Sequence, residues 1–531
     1  MPGKHAGGKG EEEMGKGLFR WIVSAVALAL LGIPSPSGAT EFNLGGKPAS
    51  LMGYVDQGVT ANISGEKSFD NKDGLNSAVF TALLEGEYKP ATNLDVFMSG
   101  KLTADWIYPI MSNNNNSEWE GKGFNQSRDE LFLDTGWDKM LNEAFVTYSP
   151  GNFFLRVGKQ IVSWGETDGF RLMDQINPVD SRRGLGDVEF ENTIIPIWLV
   201  RANYYVQPES SWIQEIGLET VWNPNVQFQG DRPIDLGNDV GGIWAPDVQV
   251  APGVQLGSSR YTHNAPQDWS RSGMEFGARV KGVINGMIFS LNYYNGLSNS
   301  GQLKSLSAPD ITLAPDGTPI AHLHVEEIFP RYQMVGATFT SDFPSLNSSA
   351  LGGVAPVLRL EGEYVMNNTL STEGGVVGLP FGSYVKKDEI RYLVGVDWKV
   401  KVDFLNPRAY FFISGQFYSR HIIDFNKDMA PAEVSAGMDL KDFLVNVKED
   451  NYMTTLLINT TYFHNKLTPQ FFWMRDITFN GDLFKLQLTY DYSDKWHYTI
   501  GALLLNGKNG QKGFVPLESK DQLFATVKYR F

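Results

Sequence analysis

The chain has no cysteine. Disulfide frameworks, thiolate metal sites and cysteine nucleophiles are therefore excluded. It also lacks a basic surplus, because 45 Lys and Arg face 60 Asp and Glu, for a formal charge of −15. Binding by phosphate neutralisation needs a basic stripe that releases counterions, so nucleic acid is not an expected partner. Long apolar runs are missing too: no segment of residues 40–531 approaches 18 continuous apolar residues. Any membrane crossing there must be made by strands, since only helices and closed barrels satisfy their backbone in lipid. The sequence contains no G-x-S-x-G, no Walker loop and no H-E-x-x-H. No catalytic residue and no cofactor are expected on that ground.

What the chain does have is glycine and aromatic rings, with 55 Gly, 33 Phe, 21 Tyr and 13 Trp. That balance suits a β protein with many tight turns and rings at membrane interfaces. Residues 1–39 read as a secretory signal: Lys16 and Arg20, a short apolar core from Trp21 to Ile33, then Ser37-Gly38-Ala39 for cleavage. The core is too short to span a bilayer of ~30 Å. Glu11-Glu12-Glu13 is foreign to such a signal, which makes Met14 an alternative start.

Period-two alternation recurs from residue 50 to the end. Leu94, Val96, Met98, Leu102, Ala104 and Trp106 alternate with Asp95, Phe97, Ser99, Lys101, Thr103 and Asp105. Met274–Val280 and Phe484–Tyr492 repeat the pattern. A strand puts each set on its own face, and runs of about ten residues match a tilted membrane strand. Short junctions at 90–92, 149–152, 284–286 and 493–494 mostly alternate with long polar segments near 108–141, 164–195, 223–272, 297–329, 367–388 and 420–451. Short periplasmic turns and long outer loops give that rhythm. The expectation is an all-β closed antiparallel transmembrane barrel of about 18 strands, with 16 the next choice. It would occupy residues 40–531, with both mature termini on the periplasmic side. Strand facing is ambiguous at 330–366 and 463–481.

The final strand puts Leu523, Ala525, Val527, Tyr529 and Phe531 on one face. An apolar alternation ending in Phe resembles the signal read by the bacterial barrel-assembly machinery. Tyr529 and Phe531 are its candidate residues.

One stretch carries a family resemblance. It runs Asn142-Glu143-Ala144-Phe145, Leu155-Arg156-Val157-Gly158-Lys159-Gln160, Val162-Ser163-Trp164-Gly165-Glu166, Asn177-Pro178-Val179-Asp180 and Ile195-Pro196-Ile197-Trp198. These residues, with Tyr392–Asp397 and Ser414–Phe417, resemble the DUF1302 family of Gram-negative outer-membrane proteins. The resemblance implies a barrel and an outer-membrane address, hence lipid as a partner. It supplies no substrate. Family members resemble parts of systems with a periplasmic DUF1329-type protein and an inner-membrane exporter of the resistance-nodulation-division class, which implies partners of that kind.

After Arg156 the polar residues cluster: Trp164, Glu166, Arg171, Asp174, Asn177, Asp180, Arg182 and Arg183 fall within one long loop. Such a loop either folds inward as a constriction or closes on itself through bidentate Arg–carboxylate pairs. Arg156 and Arg201 flank it on lumen-facing phases, so the expectation is that residues 164–195 enter the barrel and touch one of them. The polar face of the strands places thirteen acids, from Asp56 to Asp491, against fourteen bases, from Lys89 to Arg530. Glu219, Arg279, Arg359, Glu361 and Glu363 belong to this wall, and so by phase do Arg408 and Lys495. Near-equal charge predicts weak ion selectivity. Lys159 falls on the lipid-facing phase, which calls for a bulge or a snorkelling side chain. His322, His324, Glu326 and Glu327 have spacing that could hold a divalent ion, although such a cluster is more often a solvated loop, and no metal is expected. The functional expectation is a channel or transport component for a small or amphipathic solute. Its rivals are a plugged barrel that docks a periplasmic carrier and, third, a barrel hydrolase.

Overall fold

The computed structural model describes residues 40–63, 74–106, 133, 136–167, 170–182, 193–232, 249–251, 253–257, 260–314, 317–347, 351–372, 383–425, 448–507 and 520–531. The signal segment lies outside them.

Eighteen strands make one closed antiparallel barrel. The first nine are β1 (Lys47–Asn62), β2 (Val79–Ala91), β3 (Leu94–Asp105), β4 (Leu141–Tyr148), β5 (Phe153–Gln160), β6 (Ile197–Val206), β7 (Ile213–Asn223), β8 (Glu275–Ile284) and β9 (Met287–Leu297). The rest are β10 (Arg331–Asp342), β11 (Val357–Thr372), β12 (Ser383–Val400), β13 (Phe411–Ile422), β14 (Asp450–Asn459), β15 (Leu467–Asp476), β16 (Gly481–Asp491), β17 (Trp496–Gly507) and β18 (Gln522–Arg530). Each strand pairs with the next in sequence, and β18 closes on β1 with Tyr54 opposite Arg530 and Asn62 opposite Gln522. Closure removes the edges that an open sheet would expose.

The alternation that makes these strands also sorts their faces. Outward positions such as Leu84, Met98, Val157, Leu218, Phe276, Leu291, Val396, Ile500 and Leu523 are apolar and exposed. A surface of that kind is stable only against lipid. Outward rings gather at two heights. Tyr148, Tyr204, Trp212, Tyr410 and Trp496 stand at the short-turn end, and Trp222, Phe276, Tyr364 and Tyr392 toward the long-loop end. Aromatic girdles at both interfaces are the mark of a membrane barrel.

Several expectations needed correction. The ambiguous regions resolve as β10–β11 and β15–β16. At the short-turn end, β10 and β11 are joined by 343–356, which holds a 3-10 turn at Pro344–Leu346. On the long-loop side, β15 and β16 are joined by only 477–480. Strands β11 and β12 run past the expected loop boundary, to Thr372 and from Ser383. The segments near 223–272 and 297–329 are not simple loops. They contribute a four-stranded sheet, in which Val254–Leu256 pairs with Pro319–His322, and a three-stranded one, in which Arg260–Asn264 pairs with His324–Ile328. Lys159 lies on a strand without a register shift. The shift is next door, where Ser99 and Gly100 face Glu143 and Leu141. The displaced backbone leaves a carbonyl for it, and Lys159 Nζ donates to Leu141 O at 2.6 Å. Arg408 and Lys495 stand in turns rather than on the wall.

Candidate functional site

From β5 the chain enters the barrel, and the reason is apolar. Val162, Trp164, Leu172, Met173 and Ile176 are buried against inward-facing Ile197 and Leu199 of β6, Val221 of β7, Tyr294 of β9, Tyr332 and Met334 of β10, Val365 of β11 and Leu393 of β12. The inner wall is therefore not polar throughout: β6, β7 and β9–β12 carry an apolar patch matched to the segment. Burying a large side chain contributes about 1.5–3 kcal/mol, enough to order a segment that water would otherwise solvate. Two wall glycines leave the space. A Cβ on Gly277 would stand 2.6 Å from the Trp164 ring, and one on Gly336 2.5 Å from Met173 Cε. Phe170 continues the packing by stacking on Tyr418 of β13, with centroids 5.4 Å apart.

Polar groups then fix the segment. Asp174 Oδ1 accepts from Ser163 Oγ at 2.9 Å, Trp164 N at 2.6 Å and Gly165 N at 2.8 Å. Asn177, fully buried, ties both roots of the loop. Its Oδ1 accepts from Val162 N at 2.8 Å, and its Nδ2 donates to Gln160 O at 3.1 Å and Ile195 O at 3.0 Å. Glu361 of β11 reaches from the wall to accept from Glu166 N at 2.7 Å, Thr167 Oγ1 at 2.8 Å and Met173 N at 3.3 Å. Backbone donors inside a barrel have no other partner of that strength. Trp164 Nε1 donates to Glu219 Oε1 at 2.9 Å, and Glu219 is also paired with Arg279 at 2.9 Å and Arg201 at 3.0 Å. Lys281 pairs with Glu166 at 2.9 Å, while Arg359 donates to Glu166 O and pairs with Asp397 at 2.7 Å.

The return arm is held separately. Arg171 donates to Asn177 O at 2.9 Å. Asp180 pairs with Arg182 at 2.7 Å and Arg232 at 3.4 Å. Burial pushes the Asp180 carboxyl up, but the Arg182 hydrogen bond and the two guanidinium charges outweigh it, holding the group at about 2. Asp231 accepts from Val179 N at 2.8 Å and Ser300 Oγ at 2.6 Å, and burial raises its carboxyl above the ordinary value.

Of the residues singled out in the sequence, Trp164 and Glu166 meet Glu219, Arg279, Arg359 and Glu361 inside the barrel, while Asp174 and Asn177 hold the backbone of the segment and its roots. Arg156 and Arg201 do not play the expected part. Among the described residues, Arg156 donates to Thr147 Oγ1 at 3.0 Å and lies over Phe145, and Arg201 meets the segment only through their common partner Glu219. Among the described residues, the wall arginines that touch the segment directly are Arg279 and Arg359, because their strands face the place where it crosses. Arg183, with Asp168, Asp187, Glu189 and Glu191, lies outside the described residues.

Phe170, Leu172, Met173 and Ile176 carry no charge and so stand outside the polar pattern of the loop, yet four apolar side chains in a polar loop are themselves a signal of burial. Glu389 and Arg420 also escaped, because they sit at the expected loop boundaries. They complete a row across β11–β13, with Glu363–Arg391 at 3.0 Å, Glu389–Arg391 at 2.6 Å and Glu389–Arg420 at 2.5 Å. His322 Nε2 lies 2.6 Å from Thr312 Oγ1, and His324 pairs with Asp310 at 3.0 Å. Among the described residues no group of three His, Asp or Glu side chains could hold a metal ion.

Among solved structures, Pseudomonas aeruginosa OpdK with vanillate has 9% identity and a TM-score of 0.41, over 91% of this chain and 98% of that one. Salmonella typhi OmpF in complex with daunomycin has 10% identity and a TM-score of 0.38, over 93% and 100%. The outer-membrane channel DcaP of Acinetobacter baumannii has 11% identity and a TM-score of 0.35, over 94% and 99%. Likeness this distant carries no argument about solute or mechanism. No curated protein matches the chain in sequence. A family model does match, over residues 20–531, and the chain belongs to that family, DUF1302, described as proteins of unknown function.

Proposed function

We propose that the protein is an outer-membrane channel or transport component for a small or amphipathic solute, narrowed on one side by residues 161–182. The observation that carries this reading is the seating of that segment. Its partners described above stand on β5 to β13, half of the circumference. An 18-stranded barrel is roughly 35 Å across its backbone, from strand spacing and tilt. One segment of this length narrows such a barrel without filling it. The exposed apolar outer face supports a membrane setting, and the signal segment supports export to the outer membrane.

Planar-bilayer recording of the purified protein tests the reading. Discrete conductance steps are expected, with a reversal potential near zero in a potassium chloride gradient, because the wall charges stand largely in opposite-sign pairs. Barrels that insert but pass no current would refute the channel. Strong selectivity would show that a few residues outweigh the wall average.

A further inference from the structure

We propose that the inner wall of β3–β6 holds a binding station for an amphipathic carboxylate, with Arg156 as its anion-recognising residue. Arg156 and Arg201 are direct register partners on neighbouring strands, and both point inward. Like charges placed directly opposite one another destabilise a sheet. Arg201 is compensated by Glu219. Arg156 makes no ion pair of its own: among the described residues its only hydrogen bond runs from Nε to Thr147 Oγ1, and the charges of Glu143 and Asp95 reach it without direct contact. The carboxylates nearest it are otherwise engaged. Glu143 accepts from Ile161 N at 3.1 Å, and Asp95 faces Lys89 at 4.0 Å. A guanidinium with no direct carboxylate partner, beside a second one, is a forked donor set suited to a carboxylate.

The apolar half of the ligand follows from the rings around it. Phe145 lies 4.0 Å from the Arg156 guanidinium carbon, and Phe154 lies 5.2 Å from it and 5.8 Å from that of Arg201. Phe97 of β3 stacks on Phe145, with centroids 4.9 Å apart. All three rings are only half-buried and share the inward face with Arg156. Phenyl groups on the water side of a barrel lose nothing by being covered, so a ligand with an apolar body and one carboxylate would satisfy rings and guanidinium together. Stacking on Phe145 also holds the guanidinium plane in place before a ligand arrives.

The inference deepens the channel reading by naming a solute class, and equilibrium binding tests it without current. Isothermal titration of the detergent-solubilised full chain would compare 4-phenylbutyrate, acetate and 4-phenylbutan-1-ol. The acid with the ring should bind most tightly, and Arg156→Gln should weaken it by at least about tenfold, as expected for a lost charge-assisted contact. Phe145→Leu, which keeps apolar volume but removes the ring, should weaken phenylbutyrate severalfold and acetate by a smaller factor, because the ring both contacts the ligand's apolar body and steadies the guanidinium. It serves as the test if Arg156→Gln does not fold, with heat-modifiable gel mobility as the folding readout. Equal binding of alcohol and acid, or binding indifferent to both substitutions, would overturn the site. Intact phenylbutyrate binding in a barrel that never conducts would refute the channel and leave the station standing.

Discussion

At the residue scale, the inserted segment depends on fits that admit little change. Gly277→Ala would put a methyl within 2.6 Å of Trp164 and 2.7 Å of Val221. Overpacking of this kind costs about 1–3 kcal/mol, so the variant should fold as a barrel yet show noisier and larger conductance as Trp164 is displaced. Single-channel traces of wild type and variant check this. Asp180 gives a pH test. Its folded value of about 2 lies below the ordinary carboxylate value, so its contribution is fully present above about pH 4 and is lost as pH falls toward 2. That contribution is about 2 kcal/mol of anchorage on the return arm. Limited proteolysis across pH 2–5 with an acid-stable protease should show the 161–182 segment opening only near the lower end. Asp180→Asn should make it open at every pH in that range.

Elements behave differently from residues because one wall position can hold several parts of the segment. Glu361 gathers Glu166, Thr167 and Met173, donors spread along eight residues. Glu361→Ala leaves them without a charged acceptor, and each such bond is worth about 1.5–3 kcal/mol. The barrel strands make their own ladder and should survive. Heat-modifiable mobility should therefore be unchanged while hydrogen exchange across 164–173 rises by more than tenfold. Unchanged exchange there would mean that apolar packing alone seats the segment. The strands were legible in the sequence because alternation with period two has one physical meaning. The inward turn of the segment was expected from its charges, but Leu172, Met173 and Ile176 supply its packing, and Arg156 and Arg201 proved to be neighbours of the site rather than its anchors. The side chain that gathers the segment's backbone lies 195 positions away in sequence, between Glu166 and Glu361, and no local pattern encodes such a pairing.

Across the whole molecule, closure depends on the chain end. Phe531 N donates to Gly53 O and Gly53 N to Phe531 O, each at 3.0 Å, and the Phe531 ring packs beside Tyr529, which in turn meets Trp496. Deleting Phe531 should lower assembled barrel in the outer membrane by several-fold with little change in synthesis, read by heat-modifiable mobility against total protein. Wild-type amounts of folded barrel would show that β18 closes without it.

The sequence by itself determined most of the strands, their approximate number, the faces that seek lipid outside 330–366 and 463–481, and which end of the barrel carries short turns. Each of these follows from side-chain period and connection length, which are local properties of the chain. The tertiary structure decided what fills the lumen. An apolar patch on the inner faces of β6–β12 is indistinguishable in one strand from ordinary variation, and it acquires meaning only when curvature brings those strands around a single segment. The same curvature selects Arg279 and Arg359 as the wall arginines that touch it among the described residues and leaves Arg156 without an ion pair, because the reach of a side chain across a lumen depends on where the wall stands.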